Sequence, residues 1–317
     1  MAADILVTAT SFMKSPLLRV DLERILPSGS SVTYLDLRNP IQKAQFDDPV
    51  FAGSVRGWLV GGEAVTQTQL THFPQLQIIS KYGVGVDNID FAACAKAKVP
   101  VHFEPGVNAM AVAEHTLGLI IGMCRNIRTN SVKLSQGQWN KDGGRGLHGM
   151  KVGIIGLGHV GSKVATLLSY LGADLAYTDI ISKPELESSL RIQRLDYASL
   201  LSWAELLSFH VPLTDETRNM FGEEELSLSR TSVFVVNTSR GEVIETEALK
   251  RGLRLGQIAG AALDVFEKEP LHDKELAESD RLLGTPHTAG NSEQAVFAMG
   301  QAAIRGIKTL FAKTTET

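Results

Sequence analysis

The sequence predicts an α/β fold made of two doubly wound parallel-sheet domains. Short β-branched runs alternate with helical stretches along the whole chain, and strands separated by helices of this length imply parallel βαβ units. The 317 residues are about twice an ordinary domain of roughly 150. Near the middle, an apolar strand runs into a glycine-rich turn and then a helix, and a second alternating series follows from there.

In the first third, strands are expected at Asp4–Thr8, Ser31–Leu37, Gly57–Val60, Gln77–Ser80 and Pro100–Phe103, with helices between them such as Pro16–Leu26 and Ile89–Ala97. A long helix is expected over Asn108–Arg128, where Ala109, Val112, Ala113, Leu117 and Ile120 recur at helical spacing. The polar stretch Gly137–Gly149, with Gly143-Gly144 inside it, reads as a loop. The second series has strands at Lys151–Ile155, Asp174–Thr178, Glu205–His210, Ser232–Asn237, Ile258–Asp264 and Arg281–Gly284. Its helices fit Val160–Leu171, Tyr197–Leu201, Glu223–Leu228 and Glu245–Arg254, and a last helix covers about Ser292–Leu310. The chain has no internal repeat and no low-complexity segment.

Composition narrows the function. A net charge of -4 with no Lys/Arg run leaves no electrostatic footprint for nucleic acid. No apolar run approaches the ~18 residues of a membrane span. The start Met1-Ala2-Ala3-Asp4 lacks the basic region of a signal peptide. Cys94 and Cys124 cannot make a disulfide framework, so a reducing cytoplasm is the expected location and both read as buried small hydrophobes. None of the eight His makes a helical i,i+4 pair around a Glu, and no metal site is expected.

Gly156-Leu157-Gly158-His159-Val160-Gly161 is the strongest motif. Alone, a GxGxxG pattern is weak. Here the strand Val152–Ile155 precedes it and a helix follows, as dinucleotide binding requires. Gly156 permits the tight turn, Gly158 lets backbone approach a pyrophosphate, and Gly161 lets helix and strand pack closely. The helix N-terminus then offers free N–H groups to the phosphates. Asp179, 18 positions past Gly161 at the end of the next strand, suits the ribose hydroxyls. Its charge repels a 2′-phosphate, and Ile180-Ile181-Ser182 supply no Arg to hold one, so NAD is expected over NADP.

Three polar residues fall just past three successive strands: Arg240, Glu269 and His287. Ligands of open α/β sheets bind outside the carboxyl ends of the strands. Reduction of a ketone needs a proton donor for the developing alkoxide, and His is the natural group near neutral pH. A carboxylate within reach raises the His pKa and orients its ring, while Arg can fork onto a substrate carboxylate. His287 is thus the candidate acid/base, Glu269 its partner and Arg240 the substrate anchor. Taken singly, each also reads as an ordinary residue: a surface ion pair, a solvated loop charge, a structural His. Beside Glu114 on the long helix, His115 has a packing and a functional reading, with packing favoured.

Across nearly its whole length the sequence resembles the D-2-hydroxyacid dehydrogenase family. The matching stretches are Lys81-Tyr82-Gly83-Val84-Gly85-Val86-Asp87-Asn88-Ile89-Asp90, Asn108 through Leu119, the Gly156–Gly161 motif and His210-Val211-Pro212. They continue with Val236-Asn237-Thr238-Ser239-Arg240-Gly241, Ala262 through Pro270, and Thr285-Pro286-His287. The resemblance implies an NAD-dependent oxidoreductase acting at C2 of a small, anionic D-2-hydroxy or 2-keto acid: 3-phosphoglycerate, glyoxylate or hydroxypyruvate, or a longer 2-keto acid. It implies a phosphoglycerate dehydrogenase-like chain without an appended regulatory domain, and a homodimer. The fold it implies is a Rossmann cofactor domain over 104–287 and a flavodoxin-like, discontinuous substrate domain over 1–103 and 288–317.

For the substrate, the family's positions fall on Lys81, Gly83, Val84, Gly85 and Asn108. Lys81 has two readings side by side: a cation for a phosphate or second carboxylate, and a solvated strand-end Lys. For the cofactor they fall on Gly156, Gly158, His159, Val160, Gly161, Asp179, His210, Val211, Pro212, Thr217, Thr238, Ser239, Asp264, His287 and Gly290. Thr288-Ala289-Gly290-Asn291 departs from many relatives beside His287, which bears on substrate shape. Some relatives are NAD-sensing corepressors that keep the Arg, Glu and His, so a binding protein with little turnover is the alternative.

Overall fold

A computed structural model describes residues 4–312 of the chain. Met1–Ala3 and the residues after 312, which the sequence reading placed in the discontinuous domain, lie outside the described residues. The chain divides into two compact units, one running up to Asn108 and resumed from Ser292, the other Ala109–Asn291.

The first unit holds β1 (Asp4–Val7), β2 (Ser31–Tyr34), β3 (Val55–Val60), β4 (Ile78–Lys81) and β5 (Val101–His102). They form one parallel sheet in the order β2-β1-β3-β4-β5. Helices cover both faces of such a sheet, so its central strands read as continuous apolar runs rather than alternating ones. Ile5, Leu6 and Val7 of β1 and Trp58, Leu59 and Val60 of β3 are accordingly buried. The last helix, Glu293–Ala312, returns to this unit and sets Ala303, Ile304 and Ile307 against Ile5, Val7, Leu59 and Ile78. Arg305 on that helix forks onto Glu104 with two 2.6 Å bonds.

The second unit holds β6 (Lys151–Ile155), β7 (Asp174–Thr178), β8 (Gln193–Arg194), β9 (Leu206–Phe209), β10 (Val233–Asn237), β11 (Ile258–Leu263) and β12 (Leu282–Gly284). Its parallel sheet runs β12-β11-β10-β9-β6-β7-β8. The strand order reverses at β6, so the switch point lies between the carboxyl ends of β6 and β9, where ligands of doubly wound sheets bind.

One expected element is corrected. The helix expected over Asn108–Arg128 is two helices, Ala109–Cys124 and Ile127–Ser135. Asn126 takes φ +54° between them, a left-handed conformation that Asn tolerates better than most residues. The freed Cys124 carbonyl accepts the Arg145 N–H at 2.7 Å. The stretch from Gln138 to Gly146 carries neither helix nor strand. Helices at Pro40–Phe46, Gln67–His72 and Pro184–Leu190 and the two-residue β8 were not read from the sequence. Cys94 and Cys124 are both buried and free, and burial pushes the Cys124 thiol up to about 12. Among the described residues no helix is long and apolar enough to cross a membrane.

Candidate active site

The glycine motif turns between β6 and the helix His159–Tyr170. Gly156 has φ +89°, and a Cβ on Gly161 would sit 2.0 Å from the Gly156 carbonyl oxygen, so no side chain fits at Gly161 without moving backbone. A Cβ on Gly158 would meet nothing within 4 Å, which leaves open space over the turn. Gly158 caps the helix without a side-chain hydrogen bond, whereas Ser15, Asn39, Asp90 and Asp196 each cap theirs with one. The first-turn N–H groups and the positive end of the helix dipole therefore remain available to an anion. His159 is exposed at that end and Val160 half-buried.

Asp179 follows β7 and folds back onto the turn. Its Oδ2 accepts the Leu157 N–H at 2.6 Å, and its Oδ1 the Ile181 N–H at 3.0 Å. A cation also lies beside it, one that the Ile180–Ser182 segment does not supply. Arg194 on β8 donates to the Asp179 carbonyl at 2.8 Å, and a strand of two residues carries no periodicity that marks it in the sequence. His210 follows β9, with Nε2 2.8 Å from Ser208 Oγ and a buried Nδ1 that has no hydrogen-bond partner. Burial pushes its ring down to about 3, so it stays neutral. Val211 and Pro212 continue from it, and Thr217 Oγ1 closes the turn on the Pro212 carbonyl at 2.6 Å. The uncapped helix, the open space over Gly158, the carboxylate at the next strand end and the orphaned His210 nitrogen all fit a dinucleotide.

Thr238, Ser239 and Arg240 follow β10. Thr238 Oγ1 is 2.8 Å from Thr116 Oγ1, and Asn237 Oδ1 accepts the Ser239 N–H at 2.9 Å. The Arg240 carbonyl takes Asn237 Nδ2, and one guanidinium nitrogen donates to the Ser239 carbonyl. Gly241 comes so close to the chain after β11 that a Cβ would lie 1.9 Å from the Phe266 carbonyl carbon. This contact brings the Arg240 segment against the one leading to Glu269.

His287 Nδ1 and Glu269 Oε2 are 2.9 Å apart, with side chains 52% and 38% exposed. The bond to Glu269 raises the His287 pKa against the opposing effect of burial. Burial alone would raise the Glu269 carboxyl. The hydrogen bonds it accepts from His287 and from the Phe266 N–H together leave it below the ordinary value. His287 sits at φ +54°, in a turn held by the buried Asp264 at the end of β11. The Asp264 carbonyl accepts the His287 N–H at 2.8 Å, and its carboxylate accepts the Thr288 and Ala289 N–H groups, each at 2.8 Å. Thr285 Oγ1 donates to Asp264 at 2.6 Å and lies 3.0 Å from His115 Nε2, so His115 supports this turn from below rather than only packing. Gly290 closes the same turn, half-buried.

The second unit thus gathers these residues at the carboxyl ends of β6, β7, β9, β10, β11 and β12. Lys81, Gly83, Val84 and Gly85 belong to the first unit, at and just after the carboxyl end of β4, with Gly83 at φ +102°. Asn108, buried and with no partner for its Oδ1, is the last residue before the Ala109–Cys124 helix. Among the described residues no three His, Cys, Asp or Glu are grouped so as to hold a metal ion.

Residues 117–289 match the family model described as "D-isomer specific 2-hydroxyacid dehydrogenase, NAD binding domain". The chain is 35% identical over 254 residues to a glyoxylate reductase of Thermococcus litoralis, covering 77% of each. It is also 35% identical over 250 residues to a D-3-phosphoglycerate dehydrogenase of Methanocaldococcus jannaschii, covering 78% of this chain and 48% of that one. Its fold matches that of a D-lactate dehydrogenase from Aquifex aeolicus, solved with NAD and lactic acid. The TM-score is 0.85 at 24% identity, over 99% of this chain and 96% of that one.

Proposed function

The chain belongs to the D-isomer-specific 2-hydroxyacid dehydrogenases, NAD-dependent oxidoreductases acting on CH–OH donors, and within that family we propose that it interconverts a small 2-keto acid and its D-2-hydroxy acid, glyoxylate, hydroxypyruvate and the 3-phosphoglycerate pair being the candidate substrates. The names of its relatives, glyoxylate reductase and D-3-phosphoglycerate dehydrogenase, support that range. The observation that carries the proposal is the 2.9 Å bond between His287 Nδ1 and Glu269 Oε2 at the carboxyl edge of the second sheet.

NAD, when bound, supplies or accepts the hydride at the substrate's C2. In reduction, oxygen at C2 gains negative charge, and His287 delivers the proton it needs from Nε2. Glu269 holds Nδ1, which fixes the ring's orientation and stabilises the charged imidazolium. Arg240 forks onto the substrate carboxylate and stabilises the same developing charge. The family resemblance gives the amides around Gly83–Gly85, in the first unit, a role in holding the substrate. In oxidation the neutral imidazole takes the alcohol proton. On the cofactor side, Asp179 holds the ribose hydroxyls and excludes a 2′-phosphate.

The test is a panel of 2-keto acids assayed with NADH and with NADPH. His287→Ala is expected to lose about 10²–10⁴ in turnover while still binding NADH. Near-normal turnover by that variant removes His287 as the acid. A preference for NADPH removes the role given to Asp179. Tight NADH binding with no turnover of any 2-keto acid turns the reading toward an NAD-sensing binding protein. The same reading expects a homodimer, and a monomer on gel filtration at low micromolar concentration counts against it.

A further inference from the structure

The loops after β3 and β4 are tied together by a polar network inside the first unit. Lys81, the last residue of β4, is 6% exposed. Its ammonium donates to the Gly61 carbonyl and, at 3.0 Å, to Asn88 Oδ1. Asn88 Nδ2 in turn donates to the Gly61 carbonyl at 3.3 Å and to the Glu63 carbonyl. Glu63 Oε2 accepts the Gly61 N–H at 2.8 Å and the Thr8 hydroxyl at 3.0 Å, and Trp58 Nε1 donates to that hydroxyl at 2.9 Å. Lys81 and Asn88 bracket Tyr82–Asp87, the segment that contains the Gly83–Gly85 turn, so this network fixes both ends of that segment.

The network also decides what Lys81 can do. A buried ammonium is tolerated because its protons are hydrogen-bonded. Swinging it out to meet a phosphate would strip the donor from the Gly61 carbonyl and Asn88 Oδ1 and leave buried acceptors unmade. Glu63 brings a carboxylate to the same edge of the sheet, where it repels a second anion. Arg38, following β2, forks onto Asp36 at 2.8 and 2.7 Å.

We infer that Lys81 is a positioning residue for the Gly83–Gly85 turn rather than an anion ligand, and that the substrate is a 2-keto acid carrying neither a phosphate nor a second carboxylate. The inference rests on the reading under Proposed function and selects within its substrate range.

The experiment measures kcat and KM with NADH for glyoxylate, hydroxypyruvate and 3-phosphohydroxypyruvate. It compares the natural protein with Lys81→Met and Lys81→Arg, and adds a fluorescence titration of NADH binding. The natural protein is expected to prefer an unphosphorylated acid by about tenfold or more in kcat/KM. In Lys81→Met, kcat/KM falls by a common factor for every acid, through KM more than kcat, while NADH binding holds. Lys81→Arg, which can still donate to both acceptors, recovers part of the loss. A preference for 3-phosphohydroxypyruvate, or a Lys81→Met loss confined to it, overturns the inference but leaves the dehydrogenase reading intact. No turnover of any acid overturns that reading instead. The selectivity of the natural protein reads the substrate class even where a variant fails to fold.

Discussion

His287 and Glu269 share a hydrogen bond that pulls their pKa values apart, so the pair predicts a signed pH response. The raised His287 pKa keeps the proton donor loaded to higher pH. Reduction is therefore expected to fall only as pH climbs through that raised value, and oxidation, which needs the neutral ring, to rise over the same span. In Glu269→Gln the carboxylate that raises His287 is gone, and both limbs are expected to move to lower pH. Profiles of kcat/KM in each direction check this; limbs that stay in place mean Glu269 does not set the His287 pKa. That Arg240, Glu269 and His287 fall at one edge of the sheet was legible because each comes within a few residues of the carboxyl end of a strand. The support beneath them was not. His115 and Thr285 are 170 positions apart and meet only through the packing of helix on sheet, a contact that no local spacing announces.

The cofactor turn shows at the scale of an element what a six-residue pattern encodes. Two of its glycines answer different constraints, and substitution separates them. A Cβ on Gly161 meets backbone at 2.0 Å, so helix and strand must part. Gly161→Ala is expected to cost about 1–3 kcal/mol of stability without cofactor and to weaken NADH binding too. A Cβ on Gly158 meets no protein atom within 4 Å, so Gly158→Ala is expected to unfold at nearly the natural temperature yet bind NADH poorly. Thermal unfolding and an NADH titration on both variants check the contrast, and equal destabilisation of the two contradicts it. This strand, turn and helix were legible because glycine spacing and apolar periodicity agree there. The break at Asn126 was not, since apolar spacing runs into the break without marking it, and the Arg145 N–H that takes the Cys124 carbonyl lies 21 positions on.

Each hydrophobic cluster of the described residues lies within a single unit. Two belong to the first, one of them joining β1, β3 and β4 to the returning last helix, and two to the second, on either face of its seven-stranded sheet. The units therefore differ in what the chain must do to complete them. The second is continuous, Ala109–Asn291, and closes its core with its own residues. The first needs both ends of the chain, because Ile5, Val7, Leu59 and Ile78 are covered by Ala303, Ile304 and Ile307. That the last helix returns to the first sheet follows from the family resemblance, not from periodicity, which marks a helix but not the sheet it covers. A fragment of residues 109–291 is thus expected to unfold cooperatively and to bind NADH through the uncapped helix and Asp179, with no turnover of any 2-keto acid. Ending the chain at residue 291 instead bares the apolar face of β1, β3 and β4. In that truncation the second unit's unfolding transition and NADH binding are expected to persist while the first unit's transition is lost. Calorimetry with an NADH titration on both proteins checks it. A 109–291 fragment that stays unfolded, or a truncation that loses both transitions together, means that the two units depend on each other for folding.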